Sequence, residues 1–557
     1  MTESAPTGSA PAATDDLGQV EYDLIVVGGG VTGAACLRDA ALRGLNALLI
    51  ERDDFAAGTS SRSSKMIHGG LRYLETYQFK LVREGVKERE LSLKLAPHLT
   101  HLVPHLYAIF EGDSYGLGML NFALTFYDGF SGQWRQRRHH MLNKAAVLKL
   151  EPGLNPVGLR GAGLYYDALT DDARFTLDTV KSGVEHGATV LNHTTVTGLV
   201  RDGQRVVGVT TSNNLTGATQ TYRAKVVVNA TGPWTAGLVS QEYGRPAAKL
   251  RPSKGVHIVF DRRDFPLQHV IFLRSPDDGR VTWPTPSLEE DRVYVGTTDT
   301  DYDGDPDQVE PTEADIQYLL NVANHTMPDA KLDASHIIGS WAGLRPLVAP
   351  APGTSVGNTS REHRVETGPG GMITVSGGKL TSNRVMGQHV VDEAMKALGR
   401  PATRYLADVT PISGGDAAGL ATVAKTPADV PDDVWARWVR RCGANAQAIL
   451  ARWRADEANR QVIGARHLTV AEIKYAIDKE YCATLEDLLV RRTSLFFWDP
   501  DGGLAEVGAI ADLMGDLLGW TPQQRRQQVA DYAVKVTRHR SGYQVPAAVR
   551  TYVEATR

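Results

Sequence analysis

At 557 residues the chain is too long for one compact core, so two or three domains are expected. Its 42% hydrophobic and 22% charged residues are an ordinary globular balance, and a net charge of −4 argues against a general nucleic-acid footprint. Cys36, Cys442 and Cys482 stand far apart with no CxxC or Cys/His metal spacing, which points to no metal site and a reducing, cytosol-facing location.

Residues 1–20 are small, polar and acidic and read as a disordered tail rather than a leader. No run of 18 apolar residues follows, so nothing is expected to span a bilayer, although binding to a membrane face stays open. Residues 23–27 read as a buried strand, 31–43 as a helix and 46–51 as a second strand, a βαβ unit. Between strand and helix lies Gly28-Gly29-Gly30-Val31-Thr32-Gly33, a G-x-G-x-x-G fingerprint. Gly28 makes the tight turn, Gly30 lets backbone approach a pyrophosphate, and Gly33 allows close helix–strand packing. Glu51, 18 residues after Gly33, ends the second strand where a carboxylate can accept from ribose hydroxyls. The hydroxyl-rich loop "GTSSRSSKMIHGGLRYLE" (58–75) returns towards that site instead of continuing as a helix, which favours FAD over NAD.

Further on, residues 174–210 read as a helix, a strand and a hairpin at Asp202-Gly203; "AKVVVNATGPW" (224–234) and "GMITVSGGKLTSNR" (371–384) are strands ending at glycine turns. Short β patterns such as "GVHIVF" and "RVYVGTTDT" lie between them. The fold class is therefore α/β: a discontinuous Rossmann-like FAD-binding domain (21–95, 165–250 and 340–405) with an inserted antiparallel β-rich substrate or cap domain (96–164 and 251–339). After about residue 405 the period becomes helical, and a C-terminal helical domain is placed at 411–557.

With "SSRSSKMIHGGLRYLE", "VVNATGPW", "SKGVHIV", "VGTTDTDYDGDP", "GLRPL", "SREH", "SGGKLTSNR" and "TLEDLLVRRTSLFF", the chain resembles the FAD-dependent glycerol-3-phosphate dehydrogenases of the bacterial aerobic, respiratory type, from about residue 22 to 545. These lie within the larger group that includes D-amino acid oxidase and glycine oxidase. Two departures stand in the GGK motif: Asn383 where the family has Tyr, and Gly387 where it has Ala.

The resemblance implies oxidation of sn-glycerol 3-phosphate to dihydroxyacetone phosphate, with hydride leaving C2 for flavin N5. Such chemistry asks for a cationic phosphate seat, a group for the hydroxyl proton, and a cation near the reduced flavin. By resemblance Arg345 lies near the reacting carbon, and Arg72 and Arg361 suit the phosphate; Tyr73 lines the substrate pocket or fills the core. His257, a lone histidine in an apolar strand, is the general-base candidate, and the choice between it and an Arg345-assisted route stays open. Lys379 is expected beside the isoalloxazine and substrate, with Gly378 and Thr381 at the cofactor. Ser64, Lys65, Thr231, Gly232 and Val196, the last read as ending a strand at the adenine, complete the cofactor set; His68 is left undecided.

The resemblance also implies electron transfer to a membrane quinone, hence a protein on the inner face of the cell membrane; an oxidase using oxygen is the alternative. Residues 115–140, an apolar aromatic run joined to Trp134, Arg135, Arg137 and Arg138, are the best membrane contact, against the plainer reading of a buried helix. Arg491 and Arg492 are read as packing between the helical domain and the rest. Oligomeric state is not fixed by the sequence; a homodimer is compatible with it.

Overall fold

The computed structural model describes residues 17–74, 78–131, 138–246, 252–288, 291–346, 363–464 and 468–543, without the side chains of Arg72 and Ser131. Most of the expected N-terminal tail, together with Arg361, Trp134, Arg135 and Arg137, lies outside these residues.

Two sheets dominate. The first has the strand order Arg364–Thr367, Ile373–Ser376, Thr219–Asn229, Glu21–Val27, Ala47–Ile50, Thr189–Leu191. Its inner strands run parallel, with Val27 level with both Asn229 and Ile50, and Asn229 level with Thr374. Three strand ends therefore reach one edge together, the crevice where open α/β sheets bind ligands. Both faces are covered, so the strands read as continuous apolar runs: Leu24, Ile25, Val26, Leu48 and Leu49 have no exposed surface. The expected hairpin forms, Thr194–Asp202 against Arg205–Asn213.

The second sheet has ten strands. It is antiparallel except where Val270–Arg274 pairs parallel with Thr100–Phe110. The boundaries expected at residues 165 and 340 fall inside Leu159–Thr170 and Ile337–Arg345, strands that belong wholly to this sheet. Met66–Ile67 also joins it, pairing with Leu169 and Ala168. Glycine turns mark strand ends in sequence, but sheet membership is a matter of long-range pairing, which no local pattern carries.

Among the described residues beyond 411 the regular structure is helical, apart from a two-stranded ribbon at 462–463 and 468–469. Buried charge ties this region to the first domain. Arg174 grips Glu480 with both terminal nitrogens, at 2.7 and 2.8 Å, and Lys181 adds a contact at 3.2 Å. Burial alone would raise the Glu480 carboxyl, but Arg174 and Lys181 outweigh it and hold it at about 2. Arg492 forks onto Asp54 at 2.6 and 2.9 Å, Arg491 reaches the same carboxylate, and His193 meets Asp487 at 2.9 Å. Arg491 and Arg492 are thus packing residues. Asp54→Asn leaves two buried guanidinium groups short of their shared counter-charge, and it is expected to cost about 3–5 kcal/mol, seen as a lowered Tm.

Candidate active site

The fingerprint closes the crevice of the first sheet as glycine chemistry requires. Gly28 takes φ +108°, and a Cβ there would stand 2.6 Å from the Ala230 carbonyl oxygen. A Cβ on Gly33 would overlap the Gly28 carbonyl oxygen. At Gly30, by contrast, a Cβ meets only the Ser60 hydroxyl at 3.2 Å, leaving the start of helix Val31–Leu42 open to a ligand. Val31 N–H donates to Ser60 Oγ at 2.9 Å, so a hydroxyl occupies the place where a helix N-terminus favours an anion. Ser60 went unnamed in the sequence reading; its signal was the "TSSRSS" run.

Glu51 lies under the same turn. Its carboxylate accepts from Gly29 N–H at 2.6 Å and Asp53 N–H at 2.9 Å, while burial raises its pKa. Thr231 and Gly232 follow the neighbouring strand, with Gly232 at φ +57° and the Thr231 hydroxyl on Asn229 at 2.7 Å. Val196 lies near the start of strand Thr194–Asp202 and not at an end, because Thr194 N–H bonds the Glu51 carbonyl and the strand sets out from there. Glycines where side chains cannot fit, a helix N-terminus and a carboxylate together suit an adenine dinucleotide with its diphosphate at Gly30.

The loop after Glu51 runs between the two sheets. Thr59 Oγ1 donates to the Leu344 carbonyl, Trp341 Nε1 to that of Ser63, and the Tyr294 hydroxyl to that of Ser64. This loop brings Ser64 to His257: Oγ and Nε2 are 3.0 Å apart. His257 is buried, its ring stacked on Trp341 at 4.8 Å between centroids, and Nδ1 has no hydrogen-bond partner. Burial, helped by the Arg345 and Lys65 cations, holds the imidazole well below its ordinary pKa. The ring is therefore neutral, the form able to accept a proton.

Arg345 ends strand Ile337–Arg345 opposite Ser253 and shares a sheet face with His257, which lies four residues beyond Ser253 on the paired strand, with Gly255 between them. A Cβ on Gly255 would stand 2.5 Å from Arg345 Nη2, so glycine there makes room for the guanidinium. Nη1 donates to Ser253 Oγ at 3.3 Å and Asp299 Oδ1 at 3.2 Å, and Nη2 to Thr297 Oγ1 at 3.0 Å. Its holders Thr297 and Asp299 lie in "VGTTDTDY", a motif quoted above without an assigned role.

The Lys65 ammonium is buried on Asp172 at 2.6 Å and faces the Trp341 and Phe497 rings, so its side chain locks the loop and its backbone is the part left to meet a cofactor. Sequence cannot reveal this, because Asp172 is 107 residues away.

From the first sheet, Gly377 and Gly378 (φ +75° and +91°) turn the chain to Lys379, whose ammonium lies 3.8 Å from the centroid of the Tyr73 ring. Tyr73 therefore joins Lys379, while its ring also packs against the buried cluster of Leu71, Val86 and Tyr127. Thr381 Oγ1 accepts from His68 N–H at 3.2 Å, which fixes His68 through its backbone. Asn383 is buried and its amide donates to the Leu380 carbonyl at 2.7 Å, beside a small pocket lined by Arg38, Glu88 and Arg384. Gly387 lets its helix approach Val31–Leu42: a Cβ would stand 2.7 Å from the Ala35 backbone. The side chains of Arg72 and Arg361 lie outside the described residues.

Among the described residues no group of three or more His, Cys, Asp or Glu could hold a metal, and no helix is long and apolar enough to cross a membrane. Helix Leu117–Ser131, the core of the expected membrane contact, is apolar on two sides. Leu120, Leu124 and Tyr127 are buried, whereas Met119, Phe122 and Phe126 are 60%, 61% and 43% exposed. The reading of a buried helix is overturned for that outer side, which extends to exposed Phe79 on helix Phe79–Leu95.

Residues 23–384 match the family model of FAD dependent oxidoreductases, and residues 406–525 that of the C-terminal domain of alpha-glycerophosphate oxidase. An aerobic glycerol-3-phosphate dehydrogenase of Bacillus subtilis is 35% identical over 531 residues, 92% of this chain and 94% of the relative. One from Staphylococcus haemolyticus is 34% identical over 523 residues, 91% and 93% of the two chains. The crystal structure of the glycerol-3-phosphate dehydrogenase from Bacillus halodurans complexed with FAD superposes with a TM-score of 0.79 at 30% identity, over 95% of this chain and 98% of that one. The L-alpha-glycerophosphate oxidase of Mycoplasma pneumoniae shares the fold at 18% identity, TM-score 0.54, over 70% and 98%. Glycine cradle and near full-length likeness agree: the chain belongs to the FAD-dependent glycerol-3-phosphate dehydrogenase family.

Proposed function

We propose that the protein oxidises sn-glycerol 3-phosphate to dihydroxyacetone phosphate and passes the electrons to a membrane quinone. The observation that carries the reading is the meeting of Arg345 and neutral His257 on one sheet face, with the Ser64 loop between that face and the crevice. Bound FAD supplies the acceptor for the hydride from C2. Arg345, held in a fixed orientation by Asp299 and Thr297, stabilises negative charge as it develops on the C2 oxygen. His257, buried and neutral beside Ser64, is the group placed to take the hydroxyl proton. Lys379, propped by the Tyr73 ring, contributes the second cation.

A quinone acceptor is supported by an exposed apolar surface suited to a bilayer face. Met119, Phe122, Phe126 and Phe79 form an exposed apolar patch, and exposed Lys80, Arg83 and Lys87 stand beside Phe79 on its helix. Phe122→Ser combined with Phe126→Ser is expected to weaken binding to anionic vesicles at least about tenfold, since each ring contributes roughly 1.5–3 kcal/mol on burial. Unchanged co-sedimentation removes this patch as the contact.

The reaction itself is tested by anaerobic titration of the flavoprotein with sn-glycerol 3-phosphate, then mixing with a quinone analogue or oxygen. Bleaching followed by fast reoxidation by quinone and slow reoxidation by oxygen supports the reading. Fast reoxidation by oxygen with peroxide assigns an oxidase, and no bleaching refutes the substrate.

A further inference from the structure

The turn that carries Tyr73 hangs between two walls. On the first-sheet side, Thr381 holds His68 through its backbone and Lys379 lies over the Tyr73 ring. On the other side stands a buried group that no step of the reaction uses. The Tyr127 hydroxyl accepts from Gly69 N–H at 2.9 Å and donates to Asp167 Oδ2 at 2.7 Å. Asp167 Oδ1 accepts from the same Gly69 N–H at 3.1 Å and from Arg89 Nη1 at 3.1 Å. Arg89 also donates to the Tyr166 carbonyl at 2.9 Å. All three residues are at least 97% buried.

They come from three elements: Arg89 from helix Phe79–Leu95, Tyr127 from helix Leu117–Ser131, Asp167 from strand Leu159–Thr170. The turn backbone is pressed against them. A Cβ on Gly85 would stand 2.8 Å from the Gly69 carbonyl oxygen, and one on Gly69 would overlap the Tyr127 hydroxyl. Gly70, at φ +77°, then swings the chain so that its own Cβ position faces the Tyr73 ring at 2.5 Å. A buried ion pair is a poor device for stability, because well-packed apolar residues of like volume are as good or better. Its directional bonds do fix one peptide N–H in space, and that N–H opens the turn.

We infer that Tyr127, Asp167 and Arg89 are positioning residues: by clamping Gly69 N–H they set where Tyr73 meets Lys379, and so the affinity of the site for its substrate. The inference rests on the reading that Tyr73 and Lys379 face sn-glycerol 3-phosphate. None of the three touches the reacting atoms.

The test uses the full-length, FAD-loaded protein and compares Tyr127→Phe with Leu124→Ala. Leu124 is buried on the same helix and packs by Gly163, outside the clamp. Tyr127→Phe is expected to keep FAD, hold kcat within about threefold, and raise KM for sn-glycerol 3-phosphate about tenfold, the scale of one lost buried hydrogen bond. Amide exchange across residues 66–74 should speed up in parallel. Leu124→Ala should lower Tm while leaving KM and that exchange as in the wild type. A Tyr127→Phe protein with KM and exchange unchanged overturns the inference, as does an equal KM rise in Leu124→Ala, which would mean loosened packing. Failure of the substrate reading looks different: wild-type flavin is not bleached by glycerol 3-phosphate, and the exchange comparison still decides the clamp.

Discussion

Arg345→Ala is expected to lower kcat about 10²–10³-fold while the protein purifies yellow, the loss typical when one donor to a developing oxyanion is removed. Retention of FAD follows from placement. Arg345 ends a strand of the second sheet, whereas Gly28, Gly30, Gly33 and Glu51 lie just beyond strand ends of the first. Arg345→Lys should recover only part of the rate, because a point charge cannot reproduce the fork that meets Asp299 and Thr297 together. The variant also removes the Arg345–Asp299 contact, so Tm is measured beside kcat. A Tm near that of the wild type with the rate collapsed identifies chemistry. Turnover within a few-fold of the wild type would remove Arg345 from the reacting centre.

Gly33→Ala should yield protein without flavin, or none that is soluble. The added methyl would overlap the Gly28 carbonyl oxygen, and Gly28 is itself pinned against Ala230 at the end of the next strand. Backbone must therefore move on both sides of the crevice, and a tight core does not yield to that cheaply. Gly30→Ala is the comparison. Its methyl meets only the Ser60 hydroxyl, so the fold should survive and only FAD affinity should fall. Flavin absorbance per protein in the two variants is the readout; a fully yellow Gly33→Ala protein would contradict the packing role given to this glycine.

The nucleotide half was legible because its signals are local. Fingerprint, Glu51 and the strand-ending glycines are dictated by backbone conformation within a few residues, and the sheet places them where the spacing said. The helical character of the C-terminal region was equally legible, since a 3.6-residue period is written in any stretch of sequence. The packing role read for Arg491 and Arg492 agrees with their burial on Asp54.

The reaction half was decided by tertiary structure. "SSRSSK" offers several hydroxyls and one lysine of equal promise; which of them turns to His257 and which to Asp172 depends on strands and helices far off in sequence. The same holds for Arg345, whose orientation is set by Thr297 and Asp299 across the sheet, and for Asp167, an unremarked residue in "YYDALT" until three elements close on it. For helix Leu117–Ser131, composition gave the apolarity and period gave the helix, but with apolar residues all round only the packing of Leu120 and Leu124 determined which side was left to face outwards. The sequence thus determined what each local segment must be, because backbone preferences act over a few residues. Only the folded chain determined which side chains meet, because a pairing between distant residues is set by the whole arrangement of sheets and helices and not by either residue's neighbours.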